Sequence, residues 1–339
     1  MRPARTSLLT IPTTLLLSAA STLRLATTTR TTYDPFINFP PHHQHHHHHL
    51  AMSPTPPNTT PRLAPVISLS HGGGPMPLLN HPSQHAIITS LSKRVPQILK
   101  LNTPSAPRAI IVVTAHWSSP TPSVLITSSP NPQLYYDYGG FPPETYKYKH
   151  DAPGSPALAS EIQSVLLSHN IPAELDPERG WDHGVFVPMK LIDPSASVPL
   201  IQLSVLESED PAAHFALGKA LYSLREKGVA IVGSGFASMH NLSLMFNSHT
   251  TSSRRFRDLS TVWGASIHDA VFEVDEAERG RKFEGWRDWE GSYTMHPRGG
   301  ADHFMPLIVC AGAAGEGARA KGYSDEMMGM EIWSYYWED

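Results

Sequence analysis

Three short runs of aliphatic and β-branched residues are each followed closely by a histidine. They are Pro65-Val66-Ile67-Ser68-Leu69, Ala109-Ile110-Ile111-Val112-Val113 and Val229-Ala230-Ile231-Val232. Runs this short and this apolar suit strands covered on both faces, as in parallel sheets held between layers of helices. The histidines are His71 in Ser70-His71-Gly72-Gly73-Gly74, His116 in Thr114-Ala115-His116-Trp117, and His240 in Ser238-Met239-His240-Asn241. A fourth, His303, stands in Asp302-His303-Phe304. Strands that lead into His-bearing loops bring imidazoles to one edge of a sheet, where open α/β folds bind their ligands. Imidazole is the commonest protein metal ligand and the usual acid or base near neutral pH. A metal-dependent enzyme is the first expectation.

From Pro65 onward, short apolar runs alternate with longer helical periods. This predicts a single α/β domain with a largely parallel or mixed central sheet, helices on both faces and a metal site at the strand ends. Residues 84–100 read as a helix interrupted at Pro96, and 123–126 and 199–204 as further strands. Ser155-Pro156 opens a helix over 156–168; Asp210-Pro211 opens another over 211–227, stopped by Gly228. Two longer helices are expected within 252–289. Residues 130–154 form a long irregular stretch, and such loops are commonly functional. Within it, Tyr135, Tyr136, Tyr138 and Phe141 are candidates for the wall of an aromatic substrate site, with core packing as the alternative.

Residues 1–62 are different in kind, rich in Thr, Ser, Pro and Leu, with Arg2, Arg5, Arg24 and Arg30 and no acid before Asp34. That is the composition of an organelle transit peptide, although Leu15-Leu16-Leu17 also fits a weak secretory core. The segment is too short and too polar to span a membrane. The tract from His42 to His49, broken by Gln44, reads as a disordered low-complexity spacer, and Met52 offers an alternative start. We therefore expect a disordered leader over 1–62 and a catalytic domain over 63–339. The expected location is the cytoplasm, with mitochondrial delivery through the leader as the alternative. A net charge of −4 argues against nucleic acid as a partner. The single cysteine, Cys310, excludes an internal disulfide and any Cys-rich zinc site, and reads as a buried thiol.

The Gly72-Gly73-Gly74 run could serve as the oxyanion loop of an esterase, but no G-x-S-x-G nucleophile elbow accompanies it. The phosphate loop G-x-x-x-x-G-K-[ST] and the zinc motif H-E-x-x-H are also absent from the sequence. His81, His85, His150, His169, His214, His249, His268 and His296 have no distinctive context. Asp182-His183-Gly184 provides a fifth candidate, either orienting a substrate or forming a structural turn.

In order along the chain, SHGGGP, TAHW, YDYGGFP, APGSPALA, GWDHG, PLIQLS, GSG-x4-HN and DHFMPL resemble the class III extradiol ring-cleavage dioxygenases, most closely their DOPA-4,5-dioxygenase-like branch. The resemblance runs from Pro65 to Gly329-Met330-Glu331-Ile332. It implies a non-haem site with one divalent ion, Fe(II) for activity and Zn(II) as the alternative, acting on a DOPA-like catechol and O2. His71, His116 and His303 match the metal ligands. His240 matches the histidine treated as acid/base, grouped with the metal shell in some relatives, and His183 matches a further active-site histidine. Typical non-haem Fe(II) oxygenases use two histidines and one carboxylate. Here the third motif offers His303, beside an Asp302 where relatives usually carry Glu, and His303 is the expected ligand. Three neutral imidazoles leave a higher net charge on the ion and also suit zinc.

In the chemistry so implied, coordination lowers the pKa of one catechol hydroxyl. His240, off the metal and titrating near neutrality, takes the proton of the second. Ring opening then yields a muconic semialdehyde. A zinc-dependent hydrolase and a non-catalytic metal-binding protein on the same fold are the competing readings. No membrane partner is expected, and the assembly is a monomer or small homo-oligomer.

Overall fold

The computed structural model describes residues 63–245 and 247–338; the leader, its histidine tract and Met52 lie outside the described residues. The described strands are β1 (Val66–Ser70), β2 (Ala109–Ser119), β3 (Val124–Thr127), β4 (Ala173–Asp176), β5 (Leu200–Leu206), β6 (Val229–Gly235), β7 (Lys321–Met327) and β8 (Met330–Trp337). β1, β5 and β6 are buried at every position, which requires cover on both faces. With β2 they form a parallel block in the order β5-β2-β6-β1. The parallel pair β3–β4 joins one side antiparallel to β5, and the hairpin β7–β8 joins the other antiparallel to β1. The result is an eight-stranded mixed sheet. Neither β4 nor the hairpin is expected from the sequence pattern.

Alternate residues of β6 show the two helical layers. On one face a Cβ at Gly233 would lie 2.6 Å from Cys310 Sγ, so the bare backbone lets the helix Met305–Ala313 settle directly on the sheet. Burial pushes the Cys310 thiol pKa up, and the thiol donates to Ile67 O at 3.4 Å. Behind this helix runs Pro211–Glu226, and the two meet backbone to backbone. A Cβ on Gly218 would sit 2.0 Å from Val309 O, and one on Gly312 would sit 2.2 Å from Phe215 O. Pro156–Ser168 packs beside Pro211–Glu226 in the same layer. On the opposite face, Ser234 reaches Gly184 in the buried helix His183–Ile192. That helix packs against the helical run His85–Thr89, Ser90–Arg94 and Val95–Ile98.

Local chemistry explains where several helices start. Ser155 Oγ accepts from Leu158 N–H at 3.3 Å, and Asp210 Oδ1 accepts from Ala212 N–H at 2.9 Å, each preceding a proline that suits the first turn. The expected interruption at Pro96 takes the form of a π turn over Ser90–Arg94, in which Val95 N–H bonds Ser90 O. The wider turn absorbs a proline that would break a regular α-helix, so the run continues to Ile98. Arg254–Val271 and Glu276–Glu284 are the two helices expected in 252–289. Among the described residues no helix is long and apolar enough to cross a membrane.

Candidate metal centre

The parallel block converges its strand ends on one point. His71 follows the last residue of β1, and His303 stands just before the helix Met305–Ala313. His116 lies inside β2 and not in a loop after it, because β2 continues past Thr114 with a shift of register against β5 between Thr114 and Ser118. Irregularities of this kind re-aim side chains beside functional sites. His183 likewise lies in no loop; it opens the helix His183–Ile192, with Asp182 at the cap position.

His116 Nε2 lies 3.1 Å from His71 Nε2 and 3.2 Å from His303 Nε2. Burial lowers the pKa of all three well below the usual histidine value, and each imidazole is lowered further by its histidine neighbours. They are neutral donors at pH 7. For imidazole–metal bonds of about 2.1 Å, donors at right angles around one ion stand about 3.0 Å apart, and tetrahedral donors about 3.4 Å. The observed separations fall between these, so the three nitrogens fit a single divalent ion.

The hydrogen-bond partners of His71 fix which of its nitrogens faces that point. The helix His183–Ile192 contains Pro188, which has no N–H to give the Gly184 carbonyl one turn earlier. Ser234 supplies the missing donor: its hydroxyl bonds Gly184 O. Having spent its only hydrogen, Ser234 Oγ accepts from His71 Nδ1–H at 3.0 Å. The Nε2 lone pair of His71 is thereby left for the ion, an arrangement common behind metal-bound histidines.

Asp137 performs the same service for two rings. Its Oδ1 accepts from the backbone N–H and the Nδ1–H of His183 at 2.9 and 2.8 Å, while Oδ2 lies 3.5 Å from His116 Nδ1. Burial opposes ionisation of Asp137, but the His183 hydrogen bond and the facing imidazoles outweigh it and hold the carboxyl below its ordinary range. Deeper in, Asp182 accepts from Thr114 Oγ1–H at 2.8 Å and from Arg179 at 3.2 Å, which ties β2 to the start of the His183 helix. Burial pushes Asp182 up to about 6, with nearby Asp137 adding to the shift.

His240 stacks on His303, ring centroids 3.3 Å apart and planes within 12°. Burial lowers its pKa to about 4, against the opposing charge of Asp302, so it does not titrate near neutrality as the sequence suggests. Asp302 stands behind the cluster. It accepts the His303 backbone N–H at 2.9 Å, and its Oδ1 lies 3.0 Å from the neutral His303 Nδ1 without hydrogen-bond alignment.

The imidazoles line a cavity of about 270 Å³. Of the four aromatic residues singled out in the long loop, Phe141 lines this cavity. Tyr136 and Tyr138 instead donate their hydroxyls to Tyr148 O and Thr145 O, each at 2.7 Å, and pack with Phe186 behind His183. Tyr135 faces the Arg179 guanidinium at 4.6 Å. A larger cleft of about 540 Å³ lies between the Arg254–Val271 helix and the β7–β8 turn; among the described residues its one imidazole is His268 and no metal-ligating cluster lines it.

The profile of the catalytic LigB subunit of aromatic ring-opening dioxygenase matches residues 65–335. The chain belongs to this family. Its metal dependence agrees with the three-histidine site, and the chain is an extradiol, ring-opening dioxygenase of the DOPA-dioxygenase-like branch. Dioxygenase tasH of Hapsidospora irregularis is 49% identical over 283 residues, covering 81% of this chain and 86% of its own. The 4,5-DOPA dioxygenase extradiol of Beta vulgaris is 36% identical, covering 63% of this chain and 76% of its own. The Escherichia coli K12 protein of the same name is 32% identical, with 74% and 84% covered. An uncharacterized protein from Escherichia coli K12, known by crystal structure, shares the fold at a TM-score of 0.57 and 24% identity, over 81% of this chain and 99% of its own.

Ser234 and Asp137 contact the clustered imidazoles and are not singled out by the sequence. Ser234 sits in the quoted Gly233-Ser234-Gly235 and Asp137 in Tyr136-Asp137-Tyr138, so the segments are marked although the two side chains are not.

Proposed function

We propose that this chain opens the ring of a catechol-type substrate with O2 and Fe(II), inserting both oxygen atoms to give a muconic semialdehyde. His71, His116 and His303 would hold the ion. The observation that carries this reading is the convergence of three neutral Nε2 atoms on one point, flanked by two further imidazoles, His183 and His240, in an apolar cavity. Bound there, Fe(II) supplies Lewis acidity toward the catechol oxygens and one-electron exchange with O2.

The protein's own work is positioning and proton transfer. His240 is neutral and stacked on His303, so it is placed to accept the proton of a catechol hydroxyl at its ring nitrogen and return it later. Asp302 stabilises the imidazolium so formed. His183, with Nδ1–H held by Asp137, presents its Nε2 lone pair toward the cavity to hold the substrate or O2 in place. The apolar wall excludes water, which strengthens each of these interactions. We take residues 63–339 as the catalytic unit.

The test is O2 uptake by anaerobically Fe(II)-loaded protein over a panel of catechols, with a zinc-loaded sample in parallel. Stoichiometric O2 consumption with a yellow product, in the iron sample alone, is the expected result. Anaerobic turnover by the zinc protein would replace this reading with a hydrolase.

A further inference from the structure

The walls of the cavity narrow the substrate class, an inference that rests on the ring-opening reading above. Apart from the imidazoles, the lining includes Met76, Phe141, Leu242, Met245, Met327 and Met328, and among the described residues it contains no Lys, Arg, Asp or Glu. Gln84 also lines it as a neutral amide, tied to the protein at both ends: Oε1 accepts from Gly73 N–H at 3.1 Å and Nε2 donates one hydrogen to Ser83 Oγ at 3.2 Å. Of the two carboxylates close to the imidazoles, Asp137 is held by His183, and Asp302 accepts from the His303 backbone N–H beside His240; neither is among the described residues that line the cavity. A substrate side chain carrying an ammonium or carboxylate would lose hydration in this cavity and meet no oppositely charged side chain among its described lining residues. An apolar one would meet four methionine side chains, which adapt readily to irregular shapes. Met328 is 37% exposed and Leu242 55%, so this apolar surface continues from the imidazoles out to the mouth.

We propose that the substrate is a catechol bearing an alkyl or aryl substituent, held by the methionine wall, and not a catechol amino acid such as DOPA. The preference belongs to the wall, so it is present whichever divalent ion is bound.

The test separates binding from turnover. Zinc-loaded full-length protein under nitrogen is titrated calorimetrically with 4-methylcatechol, 4-butylcatechol and DOPA, and the iron-loaded protein is assayed with the same three for O2 uptake. Expected is at least tenfold tighter binding of 4-butylcatechol than of DOPA, with affinity rising by up to about fourfold for each methylene buried. Met328→Arg, at a partly exposed position, should reverse the order, gaining affinity for 3,4-dihydroxyphenylpropionate and losing it for 4-butylcatechol. Equal or tighter binding of DOPA, a flat alkyl series, or no binding of either overturns the proposal. Preferential binding of 4-butylcatechol without O2 uptake by the iron protein would sink the ring-opening reading and leave the apolar subsite standing.

Discussion

Pro188 determines which nitrogen of His71 carries the proton. The proline withholds an N–H from Gly184 O, Ser234 gives that carbonyl its only hydrogen, and Ser234 Oγ can then only accept from His71 Nδ1. Ser234→Ala removes both ends of this relay. Metal affinity should fall about tenfold to a hundredfold, the usual effect of losing the partner behind a ligand, read by competition with a chromophoric chelator. Pro188→Ala returns a backbone N–H to Gly184 O and should produce a smaller loss. Unchanged affinity in Ser234→Ala would remove the relay from the account.

His71→Ala, His116→Ala and His303→Ala should each lose the metal itself, measured as ion content after gel filtration. His240→Ala should keep nearly full metal and lose about two to four orders of magnitude in kcat, the range expected when a general base is removed. Loss of metal in His240→Ala would place that ring among the ligands.

Asp137 holds His183 through two hydrogen bonds and faces His116 with its other oxygen. Asp137→Ala should lower activity about tenfold to a hundredfold, and Asp137→Asn, which can still accept from His183, should recover part of the loss. Steady-state kinetics on metal-replete protein decides between this and a purely structural role, which predicts equal effects.

Two buried histidines outside the ligand trio, His214 and, beside the centre, His296, make the fold sensitive to acid. Leu206 N–H donates to His214 Nε2 at 3.0 Å and His214 Nδ1 donates to Asp210 O at 2.6 Å, so the ring is held neutral, and burial lowers its pKa. Burial lowers His296 to about 3. Unfolded histidine titrates near 6.5, so as pH falls the unfolded chain takes up protons first. The stability these rings contribute is complete above pH of about 6.5 and is lost toward their folded pKa values, at about 1.4 kcal/mol per pH unit for each ring. Denaturant melts at pH 7.5 and 5.0 should show a shallower loss in His214→Gln than in the parent. An equal slope would indicate that this ring is not held neutral.

Gly218→Ala tests the backbone contact beneath the centre. The added Cβ would collide with Val309 O, so the variant should lose about 1–3 kcal/mol of stability or more. Since the displaced helix directly follows His303, metal affinity should weaken as well; a destabilised variant with intact affinity would uncouple the two.

What the sequence revealed follows from how local each determinant is. The helices at Ser155-Pro156 and Asp210-Pro211 begin where their caps indicate, because a cap is satisfied within three residues of itself. The helices His183–Ile192 and Met305–Ala313 carry no such local signal. Met305–Ala313 is buried at every position and His183–Ile192 at nearly all, so neither carries the polar face that makes helical periodicity visible. β7, with Lys321, Asp325 and Glu326, does not read as a strand until β8 pairs with it. The histidines that the fold brings together can be picked out in the sequence because each stands in a distinctive local motif. The hydroxyl of Ser234 and the carboxylate of Asp137 acquire their roles from residues remote in sequence, Gly184 and His71 for one, His183 and His116 for the other.

The hairpin β7–β8 also sets the order in which the molecule can be finished. β8 closes against β1, the first strand described, and the end of β7 brings Met327 and Met328 to the cavity wall. During synthesis β1 leaves the ribosome early but waits for both β6 and β8, and contacts this distant in sequence form slowly. A nascent chain can hold all of its histidines and still have an open site, because Met327 and Met328 of the wall emerge after them.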